Sequence, residues 1–257
     1  MFACPECEIP FAGGHCECRR EWTETGGVPD LYVAAQERGE LPGISTALRG
    51  FYEESPGAPW RQEDDARALA WTWDADPLIG RLHADLSPRA RVLDLGCGSG
   101  GAACFLGLLG REVIGVDLAM TGLLRAEAFR RKLGLDSVSF VRGNLFRPPA
   151  APGSADAVVM IEVLECTAAP AAALRAAALA LRPGGLLALR VATPFGVPPQ
   201  SPHHDPPMPS SVHRWVHNAG FRVHSPHSGR LVQEVSELRW KWLGGGPATV
   251  SVMARKR

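Results

Sequence analysis

The run Arg91-Val-Leu-Asp-Leu-Gly-Cys-Gly-Ser-Gly-Gly101 decides how the rest of the chain is read. Val92, Leu93 and Leu95 flank a single acid, Asp94. An apolar run this short that stops at glycines predicts a buried parallel strand. Gly96, Gly98, Gly100 and Gly101 predict a tight turn, with Ala102 to Leu109 as the helix after it. Without a Cβ the turn lets a ligand approach the backbone, and the helix N-terminus offers unpaired N–H groups. A second apolar strand, Glu112-Val-Ile-Gly-Val-Asp117, ends in a carboxylate about twenty residues beyond the first glycine. A doubly wound sheet places there the acid that accepts both hydroxyls of a ribose. The fold class is therefore α/β, a Rossmann-like sheet with helices on both faces.

The 257 residues allow one sizeable domain plus a small appendage. With 27 basic and 27 acidic residues the net charge is zero, which argues against a dedicated nucleic-acid or membrane-surface protein. The N-terminus carries cysteines and acids in place of a basic-then-apolar leader, and no apolar run reaches membrane-spanning length. A cytoplasmic location is expected. Seven cysteines, four of them within the first 18 residues, suit a metal site in a reducing compartment better than a disulfide framework.

Residues 1–32 read as a separate head. Cys4-Pro-Glu-Cys7 is a C-x-x-C knuckle, and Cys16-Glu-Cys18 follows, with Gly13-Gly14 between the pairs. Four thiolates in two close pairs can close a tetrahedral shell around a structural Zn²⁺. So short a segment has little core, and metal binding would provide much of its folding free energy. The second pair is C-x-C where ribbons usually have C-x-x-C, so His15 is an alternative ligand. Residues 33–87 read as a helical cap, interrupted by Phe51-Tyr-Glu-Glu-Ser-Pro-Gly-Ala-Pro-Trp60 and resumed by a helix from Gln62 to Trp73.

Residues 88–257 continue the alternation. Thr121 to Leu133 predicts a helix and Val138 to Arg142 a third strand, which leads into Gly143-Asn144-Leu145. Asp156-Ala-Val-Val-Met-Ile-Glu-Val-Leu-Glu165 predicts a fourth buried strand with carboxylates Glu162 and Glu165 at its carboxyl end, where open α/β sheets bind ligands. An Ala-rich helix to Leu181 is closed by Arg182-Pro-Gly-Gly185 before a strand from Leu186 to Ala192. Pro198 to Pro209 is a Pro- and His-rich loop. Ser210 to Ala219 predicts a helix, Gly220 to Val223 the start of a strand, and Ala248 to Ala254 the last strand.

The glycines fit G-x-G-x-x-G (Gly96, Gly98, Gly101) of nicotinamide and flavin proteins, and equally D-x-G-x-G-x-G (Asp94, Gly96, Gly98, Gly100). Asp94 favours the second, because an acid before the loop would repel a diphosphate and suits a ligand with an ammonium group. Taken with Asp117, E-V-L-E (Glu162 to Glu165) and L-R-P-G-G (Leu181 to Gly185) in that order, the chain resembles the class I S-adenosylmethionine-dependent methyltransferases. The match is strongest over residues 88–195. It implies a seven-stranded sheet whose seventh strand is antiparallel. The cysteine pairs also resemble the zinc-ribbon heads of some bacterial members, among them ribosomal-RNA guanine methyltransferases.

The resemblance implies that Gly96, Cys97 and Gly98 pass the methionine portion of S-adenosyl-L-methionine, with Asp94 near its ammonium. Asp117 would take the ribose, Leu118 flank adenine, and Asn144 with the Leu145 N–H read the adenine edge, while Glu162 adds to the cofactor shell. Asn144 stands where the family usually has Asp, and Cys166 where it often has His. The F-Y-x-x-x-P segment implies that Tyr52 and Trp60 line an acceptor site. His203 and His204, on the loop after the fifth strand, are the candidate bases. Cys97, Cys104 and Cys166 read as small core residues. His213 and His217, four apart on a helix, read as a surface pair lacking a third ligand.

The expected acceptor is a small molecule or a modified peptide, with oxygen the expected atom, as in specialised metabolism. Two other roles compete: an RNA base methyltransferase guided by the ribbon, and a cofactor-binding interaction module without turnover. The first would need a basic face, of which Arg19-Arg20 supplies little.

Overall fold

Alternation of side chains along each apolar run decides which face of the sheet it serves, and a computed structural model of the chain displays that alternation in full. The structure describes residues 3–9, 18, 21–33, 53–54, 65–73, 76–167, 169–194, 207–223 and 249–257. Among these, nine strands form one sheet. They are β1 (Thr23–Thr25), β2 (Val28–Asp30), β3 (Arg91–Leu95), β4 (Glu112–Asp117), β5 (Val138–Arg142), β6 (Ala155–Ile161), β7 (Leu181–Ala192), β8 (Phe221–Val223) and β9 (Thr249–Lys256). The helices are α1 (Ala66–Trp73), α2 (Pro77–Asp85), α3 (Gly101–Leu108), α4 (Met120–Lys132), α5 (Pro170–Ala180) and α6 (Pro209–Asn218).

The spatial order is β1-β2-β5-β4-β3-β6-β7-β9-β8. From β5 to β7 every pair is parallel, and β9 lies antiparallel to both β7 and β8. In β3, Val92 packs with α1 to α4 on one face, while Leu93 and Leu95 pack with α5 and α6 on the other. All three are fully buried. Each contributes about 1.5–3 kcal/mol by burial, so the centre of the sheet is anchored on both sides.

Seven strands were expected and nine are present. The hairpin of β1 and β2 pairs Glu24 with Pro29, and Asp30 then pairs with Arg142 on the free edge of β5. The reason is the unpaired edge that β5 would otherwise present. Leu31 N–H donates to the Arg142 carbonyl at 2.9 Å, and Leu31 and Val33 are each only 2% exposed. The expected head boundary at residue 32 thus falls within a segment packed on the sheet. Arg182 to Gly185, expected as a turn ahead of a strand, is a bulge inside β7, because Ala155 pairs with Leu181 and Ala157 with Leu186.

Candidate functional site: the glycine turn, two carboxylates and a thiol cluster

Leu95 ends β3, and the chain turns over the end of the neighbouring strand. The Gly96 and Cys97 N–H groups both donate to the Val116 carbonyl, at 2.7 and 3.1 Å. Gly96 (φ +80°) lies so close to Val163 that a Cβ would come within 2.5 Å of its methyl, which seats the turn against the Glu162 to Glu165 segment. Gly98 has φ +52°, and among the described residues a Cβ there would meet nothing within 4 Å. An open backbone position in a left-handed conformation is where a ligand can lie against the main chain.

Asp117 organises the acidic side. Its Oδ2 accepts from the Gly98 N–H at 2.8 Å, and its Oδ1 accepts from Leu118 and Ala119 at 2.7 and 2.9 Å. Burial nevertheless pushes its pKa up against those bonds. Asp94, 2% exposed, is raised to about 7, first by burial and then by the Asp117 charge, although the Ala103 N–H pulls the other way. Two crowded carboxylates beside an open glycine fit a cationic ligand, whose charge relieves both the desolvation and the repulsion.

The Asn144 amide is occupied within the protein. Its Nδ2 donates to the Val33 carbonyl at 3.0 Å and its Oδ1 accepts from the Phe146 N–H at 3.0 Å. Glu162 is exposed and has φ 54°, which costs a non-glycine residue about 1 kcal/mol. Glu165 is buried; its Oε1 accepts from the Ala192 N–H at 2.9 Å, while its Oε2 has no hydrogen-bond partner among the described residues. Burial, reinforced by Glu162, raises its pKa to about 7. The Cys97 and Cys104 thiols are pushed well up by burial, the latter to about 12, and so stay protonated. His213 and His217 are exposed on α6. Tyr52, Trp60, Cys16, His15, His203 and His204 lie outside the described residues.

Two residues near the acidic side escaped the sequence reading. Arg142 donates to Asp30 at 2.6 Å and to the Leu118 carbonyl at 3.1 Å, and its guanidinium stands 5.1 Å from the Tyr32 ring centroid. Glu53 accepts from the first residues of α4. The available signal was the start of that helix, Ala119-Met-Thr-Gly, which has no capping side chain of its own.

At the N-terminus the Cys4, Cys7 and Cys18 sulfurs all lie within 4.8 Å of one another, and Cys4 Sγ is 3.6 Å from Cys18 Sγ. Thiolates sharing one tetrahedral ion at about 2.3 Å would sit about 3.8 Å apart. The Glu6 N–H donates to Cys4 Sγ at 3.4 Å. Glu8, at φ 61°, turns the chain so that its N–H reaches the Cys4 carbonyl at 2.7 Å.

A doubly wound sheet with an open glycine turn and an acid closing the next strand defines an α/β protein that binds a nucleoside-containing ligand. Comparison with known proteins narrows this class. A family model described as "Methyltransferase domain" matches residues 93–189. The "Ubiquinone biosynthesis O-methyltransferase" of Xanthomonas euvesicatoria pv. vesicatoria is 32% identical over 188 residues, spanning 62% of this chain and 78% of that protein. The protein of the same name from Xanthomonas campestris pv. campestris is 33% identical over 191 residues, with the same shares. The chain belongs to the class I S-adenosylmethionine-dependent methyltransferases.

Solved structures repeat the fold at low identity. Magnesium protoporphyrin IX methyltransferase from Synechocystis, with bound SAH, superposes with TM-score 0.61 at 16% identity, covering 82% of this chain and 99% of that one. The [4+2]-cyclase SpnF superposes with TM-score 0.58 at 19% identity, covering 83% and 93%. A cyclase on the same fold shows that architecture alone does not fix the reaction. Among the described residues no helix is long and apolar enough to cross a membrane.

Proposed function

We propose that this methyltransferase transfers a methyl group to an oxygen of a small molecule, with residues around Gly98 and Asp117 holding the cofactor. The open face at Gly98, beside two crowded carboxylates, carries the cofactor placement. The 32% identical relatives, named as O-methyltransferases, support the choice of oxygen. When bound, S-adenosylmethionine supplies a sulfonium methyl that a nucleophile displaces in line, the sulfur keeping the electron pair.

This chain's residues do the positioning. Gly96, Cys97 and Gly98 form the backbone wall for the methionine portion, and Asp94 faces its ammonium. Asp117 receives the ribose hydroxyls while its three backbone N–H donors keep it in one rotamer. Leu118 and the Leu145 N–H border adenine. Because Asn144 is engaged with Val33 and Phe146, it supports that border from behind as well as through any free lone pair. Glu162, at the carboxyl end of β6, completes the shell. Tyr52 and Trp60 form the acceptor wall, excluding water, and His203 or His204 takes the acceptor proton. The domains of this reading are a head (1–32), a helical cap (33–87) and the cofactor domain (88–257).

The head is proposed to hold one structural Zn²⁺ on Cys4, Cys7, Cys16 and Cys18, supported by the three clustered sulfurs. Zinc there would fix two chain segments to each other and supply folding energy; it takes no part in methyl transfer. Free thiols of this kind belong in a reducing cytoplasm.

The test is transfer of labelled methyl to extract separated into small-molecule, protein and RNA fractions. Label in a small-molecule ether or ester is expected. Label recovered in RNA, with salt-dependent binding, would establish the ribbon-guided reading instead. No label anywhere, with the cofactor still bound, would point to an interaction module.

A further inference from the structure

Helix α4 begins immediately after the acid that closes β4, and it begins without local support. Its N-cap residue, Ala119, offers no side-chain acceptor, and its first turn contains no acid. A helix start of this kind leaves unpaired N–H groups and the positive end of the helix dipole uncompensated. The missing acceptor comes from far upstream. Glu53 Oε1 accepts from the Met120 N–H at 2.8 Å, and its Oε2 accepts from the Thr121 N–H at 2.9 Å and the Thr121 hydroxyl at 2.5 Å.

Four successive N–H groups are therefore divided between two carboxylates. Leu118 and Ala119 donate to Asp117, and Met120 and Thr121 donate to Glu53. The Leu118 carbonyl is fixed separately by Arg142. Burial works against the Glu53 charge, but the bonds from Thr121 and Met120 outweigh it and hold the carboxyl below its ordinary range. Asp117 is the neighbour that feels that charge.

We propose that Glu53 is a positioning residue for the cofactor, a clasp from the segment ahead of the cofactor domain that holds the Asp117–Thr121 turn in its ligand-binding shape. The proposal rests on the reading that Asp117 and Leu118 take the nucleoside. Without the clasp, Met120 and Thr121 seek water, the helix start frays, and the Asp117 rotamer loses its template. The same contact ties Glu53 to a helix start 67 residues downstream, so cofactor residence depends on a side chain from outside the cofactor domain.

The experiment compares wild type with Glu53→Ala, Glu53→Gln and Thr121→Val, each as the full chain. Equilibrium titration with S-adenosylmethionine and its demethylated product is paired with amide exchange across residues 117–121 and with melting of the free protein. Glu53→Ala is expected to weaken cofactor binding about tenfold, mostly through faster dissociation, because two helix-start donors lose a charged acceptor. Exchange should accelerate at Leu118 and Ala119 as well as at Met120 and Thr121. Glu53→Gln, which can still accept, should recover part of the affinity, and Thr121→Val should lose about threefold. Exchange accelerated only at Met120 and Thr121, with wild-type cofactor affinity, makes Glu53 a helix cap and overturns the proposal. If Glu53→Ala does not fold, the Glu53→Gln and Thr121→Val affinities decide by the same criterion. Wild-type protein that binds no S-adenosylmethionine removes the cofactor reading itself, a different result from equal affinities across the series.

Discussion

Leu93 and Cys4 are both fully buried, yet the structures around them are held by unlike forces. Around Leu93 are two parallel neighbours, β4 and β6, and an apolar layer formed by Ile114, Val158 and α5. Around Cys4 are a three-residue hydrogen-bonded turn, a left-handed Glu8 and two more sulfurs. The first region folds because burial removes apolar surface from water. The second buries little apolar surface, so on the proposed reading its order comes from bonds between polar atoms and from a zinc ion held by the clustered sulfurs. Failure in one should therefore leave a different signature from failure in the other.

The largest effect is expected at the head. Cys4→Ser should abolish ion binding there, a loss on the order of 10 kcal/mol for a structural zinc. Metal analysis should fall from about one zinc per chain to none. Protease should then cut within residues 1–20 while the main melting transition persists. A wild-type protein free of metal with an ordered head would sink the idea. Leu93→Ala is the counterpart in the sheet. It should cost about 2–5 kcal/mol and lower the single main transition, leaving zinc content unchanged. Urea unfolding with zinc retention as a second readout separates the two.

Asp117→Ala comes next: on the proposed placement it loses charge-assisted bonds to the ribose, and cofactor affinity by calorimetry should fall by about 2–4 kcal/mol. Its three donors, Gly98, Leu118 and Ala119, would also lose their acceptor, so some melting temperature should go too. Tight NADH or FAD binding without any for S-adenosylmethionine would contradict the placement. Gly98→Ala sharpens the point. The left-handed φ costs about 1 kcal/mol in stability, and the methyl group enters the open face, so affinity should fall more than stability.

The smallest effect expected is a pH slope in the cofactor-free protein. Asp94 and Glu165 both have folded pKa values raised to about 7, above their unfolded values near 4. The folded state binds those protons more tightly. Their contribution is thus fully present below pH ~4 and is lost as pH rises through about 7. Melting temperature should therefore decline between pH 5.5 and 8. Asp94→Asn should flatten that decline, and saturating S-adenosylmethionine should do so too by keeping Asp94 ionised. A slope unchanged by both would remove Asp94 from the cofactor's neighbourhood.

Much of the cofactor side was legible because its logic is local. Gly96 to Gly101 must turn, Val92 to Leu95 must be buried, and Asp117 must end the following strand, all within one β-α-β unit. The ends of α3, α4, α5 and α6 lie about one residue from their expected limits, as helix ends do. The helix expected from Gln62 begins instead at Ala66, where the Asp65 carboxylate accepts from the Arg67 and Ala68 N–H groups. The family resemblance assigns the Asn144 amide to adenine, and the structure adds hydrogen bonds from that amide to Phe146 and to the distant Val33. That partner could not be found from spacing, because it is 111 residues away.

The amino-acid sequence by itself determined the α/β alternation, the glycine turn, the two acids beside it and the thiol pairs at the N-terminus. Each follows from residue chemistry repeated at short range, where φ preference, side-chain period and ligand spacing act without help from the rest of the chain. Only the tertiary structure decided that Thr23 to Asp30 extends the sheet, that Arg142 joins Asp30 to the Leu118 carbonyl, and that Glu53 caps a helix 67 residues downstream. These pairings are set by which edge is left open and which N–H groups are left without an acceptor once the sheet has formed.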